Sequence, residues 1–150
     1  MFEKILFPTD FSEDSKKAVR YVTKLREAGA KEVIILHVIE EFGFDDILKN
    51  CKKAGFDPDD FRKNVLGDIT REKEQAAEPV KTQIERAGLK VSLQIEFGRC
   101  HKEICRIAEK ENVSLIVMGA QGKGKISAML LGSVSEGTLR GSKVPVFIVR

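Results

Sequence analysis

The chain has 150 residues, a length that suits one domain, residues 1–150, around a single hydrophobic core. Apolar residues make up 42% and charged residues 33%, which is typical of a soluble globular protein. The formal net charge of +3 is too small to indicate a nucleic-acid partner, because lysines and arginines are mixed with acidic residues along the predicted helices. No apolar run approaches the roughly 20 residues that a membrane span needs, so we expect no membrane partner.

The cellular compartment is predicted from the first residues and from the cysteines. Residues 1–4 lead directly into a predicted strand, so we expect no signal peptide. The chain has three cysteines, an odd number without the spacing of a disulfide framework. Free thiols favour a reducing environment, and we therefore expect a cytoplasmic protein.

Predicted strands and helices alternate along the chain, the pattern of a parallel sheet with helices on both faces. The strands are predicted, in chain order, at residues 4–7, 33–38, 91–95, 115–118 and 144–149. A first helix is predicted to begin at the N-cap Ser12 and to end at Gly29. The further helices are predicted at residues 45–54, at 58–87, after Gly98, and at 133–140.

The apolar patterns also predict where two of the strands lie in the sheet. The second strand, residues 33–38, is almost continuously apolar, which is typical of a central strand covered on both faces. In the third strand, Val91, Leu93 and Ile95 alternate with polar residues, which favours a position at the edge. Pro79 falls inside the long helix and predicts a break or a kink there.

A glycine-rich segment follows the fourth strand. It reads Met118-Gly119-Ala120-Gln121-Gly122, then nine residues, then Gly132-Ser133-Val134-Ser135. Glycine allows backbone N–H groups to approach an anion closely, and the helix after Gly132 directs its first N–H groups at the same place. Hydroxyls of the two serines can add donors. The segment predicts a phosphate-binding pocket; the alternative is a plain turn that needs positive φ at Gly119 and Gly122.

Two other strand ends carry candidate binding residues. Asp10, with Pro8 and Thr9, follows the first strand, and ligands of open α/β sheets bind where the strand order reverses. Its carboxylate can accept from a ribose hydroxyl or hold a metal through water. The alternative is that Asp10 caps the next helix as a pair with Glu13. Val38, at the end of the second strand, suits the wall of an adenine slot or a place in the core.

The histidines and cysteines do not predict a catalytic or metal site. We expect His37, within a strand, to be a tethered histidine of the core or edge. His101 and Cys105 share a helix face near Cys100, but a zinc site usually needs four ligands, and no other soft ligand has suitable spacing. No Ser-His-Asp set is evident, and no Gly-Lys-Ser/Thr follows the glycines as in a Walker A loop. No catalytic residue is therefore predicted.

With these motifs in this order, the chain resembles the ATP-binding branch of the universal stress protein family over essentially its whole length. The family carries Gly, two residues, Gly, nine residues and Gly-Ser/Thr, which Gly119, Gly122 and Gly132-Ser133 match. Residues 5–12, 36–38 and 144–149 are also similar to family segments. Two departures are Gln121, where many relatives have His, and Cys100, where relatives often have Pro; residues 42–67 fall in a variable stretch.

The resemblance implies an open five-stranded parallel sheet in the order 3-2-1-4-5, Rossmann-like and of the adenine nucleotide alpha hydrolase-like type. It implies ATP, or ADP or AMP, at the carboxyl ends of strands one and four. The implied contacts are Pro8, Thr9 and Asp10 with adenosine and ribose, Val38 with the base, Met118 and Gly119 with the ribose, and Gly122, Lys123, Gly132, Ser133, Val134 and Ser135 with the phosphates. A Mg²⁺ or Mn²⁺ ion is expected on the phosphates, near Asp10, rather than in a protein cage.

The family resemblance also implies a homodimer formed through the last strand. Val146–Val149 would otherwise leave an apolar sheet edge open to aggregation. The first functional hypothesis is an ATP-binding, regulatory stress-response homodimer with slow hydrolysis or none, because we expect no His or Glu to be placed near the glycines as an efficient base. One alternative is a slow ATPase or a phosphoryl or nucleotidyl transferase that uses Asp10 and the metal. The other is an interaction dimer that binds no nucleotide.

Overall fold

The computed structural model describes residues 1–40, 44–121 and 130–150. Five parallel strands form one sheet in the order β3-β2-β1-β4-β5, which is the predicted order. The predictions of a central second strand and an edge third strand are confirmed. The strands are β1 (Lys4–Pro8), β2 (Glu32–Glu40), β3 (Lys90–Gly98), β4 (Leu115–Gly119) and β5 (Val146–Val149).

Helices cover both faces of this sheet. They are α1 (Glu13–Lys16), α2 (Val19–Lys24), a 3₁₀ helix (Leu25–Ala28), α3 (Phe44–Lys53), α4 (Pro58–Arg86), α5 (Cys100–Lys110) and α6 (Ser133–Gly141). The single helix predicted between Ser12 and Gly29 is thus three short pieces. Its first turn tightens where the N–H of Ala18 donates to the carbonyl of Ser15, three residues back, at 3.1 Å. Ser12 is the N-cap, as predicted.

The hydrophobic core has one layer on each face of the sheet. Alternate residues of β1 point in opposite directions, so Ile5 and Phe7 belong to one layer and Leu6 to the other. Side chains of α2 and α4 fill the first layer, and those of α5 fill the second. Because the central strands are buried on both faces, their carboxyl ends are fixed in position at one edge of the sheet.

The helix α4 continues through Pro79 without a break, so of the predicted break or kink the break is wrong and the kink stays a prediction. Proline removes the bond to the carbonyl of Gln75, but both residues are exposed, and water can hydrate that carbonyl. Val80, directly after Pro79, and Ile84, one turn later, are buried against the sheet and hold the second half of the helix in place. At 29 residues α4 is the longest described helix, yet neither it nor any other described helix has the apolar length to cross a bilayer.

Candidate functional site

A cavity of about 700 Å³ lies at the carboxyl ends of β1, β2 and β4, next to the N-terminus of α6. Its size is typical of a small-molecule site. The strand order reverses at β1, because the chain proceeds outward through β2 and β3 and then returns to β4 on the other side. The predicted site residues on its wall are Pro8, Thr9, Asp10, Val38, Met118, Gly119, Gly132, Ser133, Val134 and Ser135. Gly122 and Lys123 lie outside the described residues.

At the end of β1, three hydrogen bonds shape the turn that carries Asp10. Asp10 Oδ1 accepts from the N–H of Ser12 at 2.9 Å, and the Thr9 hydroxyl accepts from the N–H of Phe11 at 3.0 Å. Ser12 Oγ in turn accepts from the N–H of Ser15 at 3.2 Å. The helix cap is therefore Ser12. Asp10 organises the turn before this cap and also lines the cavity.

His37 supports this turn from β2. Its Nδ1 donates to the backbone carbonyl of Thr9 at 3.0 Å, because a carbonyl oxygen can only accept. The imidazole stacks on Phe11, whose backbone has the uncommon φ of 60°, with 5.5 Å between the ring centroids. The prediction of a tethered histidine is confirmed, and the same side chain also forms part of the cavity wall.

The end of β2 brings Val38 and Glu40 to the cavity. Val38 belongs to the hydrophobic core and also lines the cavity, so it fits both of its predicted roles. Glu40 Oε1 accepts from the N–H of Cys100 at 3.2 Å and thereby ties β2 to the N-terminus of α5. Burial, together with the carboxylates of Glu40 and Asp10, raises the pKa of the Cys100 thiol to about 12. A protonated thiol is a poor nucleophile and a poor metal ligand.

The described parts of the chain contain no group of three or more His, Cys, Asp or Glu side chains arranged to hold a metal ion. Cys105, one turn beyond His101, has its pKa raised as well, chiefly by burial. Its Sγ donates to the carbonyl of Thr138, which joins α5 to α6. Cys105 and His101 therefore contribute to the contact between α5 and α6.

The N-terminus of α6 faces the cavity with its backbone. Gly132 is the N-cap, in extended conformation at φ −64° and ψ 159°, and offers no side chain to the first N–H groups of the helix. Ser135 Oγ lies 2.8 Å from the carbonyl of Gly119 and 3.0 Å from that of Ala120 and donates to them. Its hydroxyl thus holds α6 against the end of β4, so the group that Ser135 offers at the cavity is its backbone N–H.

Sequence reasoning missed the wall that α4 contributes. Ile69 and Lys73, four residues apart and therefore on one face of the helix, both line the cavity. Glu40, Cys100 and Ile104 were also missed as lining residues. The spacing of Ile69 and Lys73 was the only signal for the α4 wall, and it is shared by many helical pairs.

Gln121 lines the cavity at the start of the glycine-rich segment. Its side-chain amide donates to the carbonyl of Leu130 at 3.1 Å. That bond connects the residues on either side of 122–129, which lie outside the described part of the chain. Gln121 therefore brings the two ends of the glycine-rich segment together.

A parallel sheet in this order, with a cavity at its switch point, defines an open α/β protein of the Rossmann-like class. The sequence model of the universal stress protein family matches residues 1–150. The chain belongs to the universal stress protein family.

Individual relatives agree with this assignment. Universal stress protein MJ0577 of Methanocaldococcus jannaschii is 36% identical over 155 aligned positions, which cover 100% of this chain and 96% of the relative. The solved structure of MJ0577 is similar with a TM-score of 0.86 and 37% identity, over 99% of this chain and 96% of that one.

Two other solved universal stress proteins share the fold at lower identity, and each is a complex with a nucleotide. One, in complex with cAMP, has a TM-score of 0.63 at 22% identity, over 99% of this chain and 97% of that one. The other, from Archaeoglobus fulgidus in complex with dAMP, has a TM-score of 0.64 at 15% identity, over 100% and 98%.

Proposed function

We propose that this chain binds an adenine nucleotide, either ATP or its products ADP and AMP, in the cavity at the carboxyl edge of the sheet. In this proposal it acts in the cytoplasm as a regulatory stress-response homodimer whose conformation or partner binding depends on the nucleotide. The observation that carries the proposal is the convergence of residues from the ends of β1, β2 and β4 and from the start of α6 on one cavity.

The phosphate end is assigned to the start of α6. Anions bind well at a helix N-terminus, where backbone N–H groups lack intrahelical partners and the helix dipole is positive. Gly132 leaves this end without a side-chain cap, so the N–H groups of Val134 and Ser135 suit a phosphate. A Mg²⁺ or Mn²⁺ ion would be held by the phosphates, near Asp10, rather than in a protein cage.

The nucleoside end is assigned to β1 and β2. Val38 supplies apolar surface for the base, and Asp10 supplies an acceptor for a ribose hydroxyl. The cAMP and dAMP complexes of two structural neighbours support an adenine nucleotide as the ligand class, since both ligands are of that class. MJ0577, at 36% identity over the whole chain, supports the family assignment on which the proposal rests.

We expect slow hydrolysis or none. Of the described cavity residues whose side chains can act as general bases, His37 and Glu40 come from β2 and Asp10 from the end of β1, whereas the proposed phosphate end lies at β4 and α6. Two strand spacings of roughly 4.8 Å separate β2 from β4, so a base on β2 is badly placed for a water that attacks a phosphate.

The test is native mass spectrometry of the freshly purified protein, with acid release of any bound nucleotide and titration with Mg·ATP. A dimer that carries an adenine nucleotide, or that takes up added Mg·ATP, is the expected result. An ATP to ADP ratio that changes rapidly during incubation would favour the alternative of an ATPase. A dimer that neither carries nor takes up any nucleotide would overturn the proposal and favour an interaction dimer.

A further inference from the structure

The inference concerns Lys73, the charged residue that α4 places on the wall of the cavity. The helix packs on β2 and β3, and one of its faces reaches the cavity through Ile69 and, one turn later, Lys73. No other lysine or arginine lines this cavity among residues 1–40, 44–121 and 130–150. The same cavity is lined by the carboxylates of Asp10 and Glu40, from the ends of β1 and β2.

The burial of Lys73 has no adequate explanation within the helix. Only 14% of its side chain is exposed, which is unusual for a lysine. Its ion pair is with its sequence neighbour Glu72, at 3.7 Å between Nζ and Oε1, and the side chain of Glu72 is 73% exposed. The pair with the exposed Glu72 contributes little, so the ammonium of Lys73, placed on the cavity wall, is available to a hydrogen-bond acceptor there. A ligand in the cavity can supply such an acceptor.

We propose that Lys73 is a specificity-determining residue that donates a hydrogen bond to a ring nitrogen of the bound base, while Ile69 packs beside it. This inference rests on the proposed function, because it takes an adenine nucleotide as the ligand. Adenine presents the unprotonated ring nitrogens N1, N3 and N7, each of which accepts a hydrogen bond. The ammonium of lysine donates three and accepts none.

The packing of α4 places Lys73 at the base rather than at the phosphates. The helix lies over β2 and β3, and β2 ends in Val38 and Glu40 at the proposed base slot. The proposed phosphate end lies at β4 and α6, on the far side of β1 and roughly 10 Å from β2. Lys73 therefore enters the cavity from the side of the base.

The experiment compares the dissociation constants of adenosine and ATP, measured by calorimetry, for the wild-type protein, K73M and K63M. Methionine keeps the length and apolar stem of lysine and removes its charge. Lys63 lies on the same helix, is exposed and is not a cavity residue, so K63M is the matched control. The expected result is that K73M weakens adenosine and ATP by the same factor, roughly tenfold or more, and that K63M changes neither.

A second measurement identifies the accepting nitrogen on the wild-type protein. Among 1-deaza-, 3-deaza- and 7-deazaadenosine, one analogue should lose about the factor lost in K73M, and K73M should bind that analogue with no additional loss. A loss for ATP but not for adenosine would place Lys73 at the phosphates and overturn the inference. Unchanged affinities in K73M would also overturn it. If the wild-type protein binds neither adenosine nor ATP, the proposed function itself fails.

Discussion

At the residue scale, the residue at position 132 decides whether the first N–H groups of α6 bond to a side chain of the protein or to a ligand. An Asp or Asn at the N-cap would bond these groups with its own side chain and stabilise the helix. Glycine leaves them to a ligand. The φ of −64° at Gly132 is open to any residue, so backbone geometry does not require glycine at this position. The absence of a capping side chain therefore favours anion binding over helix stability.

The first prediction follows from this absence. G132D should remove detectable binding of ATP, because its carboxylate occupies the N–H groups and repels the phosphates. Helix capping should keep the variant as stable as the wild type or a few tenths of a kcal/mol more stable. G132N is the matched control, because it caps in the same way without the charge; calorimetric titration should show weaker binding for G132D than for G132N. Equal affinity in the two variants would contradict a phosphate at this place.

The second prediction concerns the Cys100 thiol. Because burial and two carboxylates raise its pKa to about 12, almost no thiolate is present at pH 8.5. Iodoacetamide should therefore label Cys100 at least about a hundredfold more slowly than a thiol of ordinary pKa, as measured by peptide mass spectrometry. Labelling of Cys100 as fast as that of free cysteine at pH 8.5 would contradict the raised pKa.

The same thiol makes a defined contribution to the pH dependence of stability. Above the ordinary thiol pKa the unfolded chain loses the proton of Cys100, while the folded protein retains it up to about pH 12. The folded state then binds more protons, so the contribution of Cys100 to stability falls as the pH rises through this interval. Below the ordinary thiol pKa, Cys100 makes its full contribution to the stability of the folded state.

Sequence alone locates the parts of the site that depend on backbone geometry. Gly119 and Gly132 are recognisable because they stand between a strand and a helix, and Asp10 because it follows a buried strand. Lys73 cannot be found in this way, because its role depends on which turn of α4 meets the edge of the sheet. Long-range packing decides that position, and the local pattern of the helix carries no information about it.

At the scale of elements, the contact between α5 and α6 depends on Gly137. A Cβ added there would lie 2.7 Å from Cγ and 3.0 Å from Cβ of His101, closer than packed atoms allow. The two helices can therefore approach only while residue 137 has no side chain. This contact also holds the N-terminus of α6 at the cavity.

The third prediction tests that contact. G137A should destabilise the protein by about 1–3 kcal/mol in chemical denaturation, even though alanine favours a helix more than glycine. G67A is the matched control, since Gly67 in α4 has no atom within 4 Å of an added Cβ, and it should stabilise by about 0.5–1 kcal/mol. H101A added to G137A should recover part of the loss, because it removes the ring atoms at 2.7 and 3.0 Å but keeps the Cβ of residue 101; without any recovery, the cause is not this contact.

The strands were easier to predict than the helix boundaries. β2 is almost entirely apolar because both of its faces are covered, and such a run is visible in any sequence. The pieces between Ser12 and Gly29 follow from a hydrogen bond between Ser15 and Thr9, just after β1, and from a tight turn at Ala18, which leave no trace in hydrophobic spacing. The continuity of α4 through Pro79 depends likewise on where the proline lies relative to water.

At the scale of the whole molecule, β5 is an outer strand of the sheet and Phe147 on it is 43% exposed. Its ring meets that of Tyr21 at 5.8 Å between centroids, so the apolar surface extends from β5 onto α2. A second copy that pairs with this edge would cover the strand and this surface together.

The fourth prediction uses two exposed phenylalanines. F147K should convert the proposed dimer to a monomer in light scattering coupled to size exclusion, because it places charges at the pairing edge. F56K is the matched control, since Phe56 is 65% exposed in the loop between α3 and α4 and distant in sequence from β5. It should leave the dimer intact. A dimer that persists in F147K would exclude β5 as the interface.

The position of β1 in the middle of the sheet has a consequence for biosynthesis. β1 pairs with β2 on one side and with β4 on the other, and the backbone N–H of Lys4 meets the Ser114 hydroxyl 110 residues later. A ribosome delivers β1, β2 and β3 before β4 and α6, so the edge of β1 that faces β4 lacks its partner strand until residues 115–119 have been made. That edge and the missing half of the cavity are completed in the same late step, once β4 has left the exit tunnel.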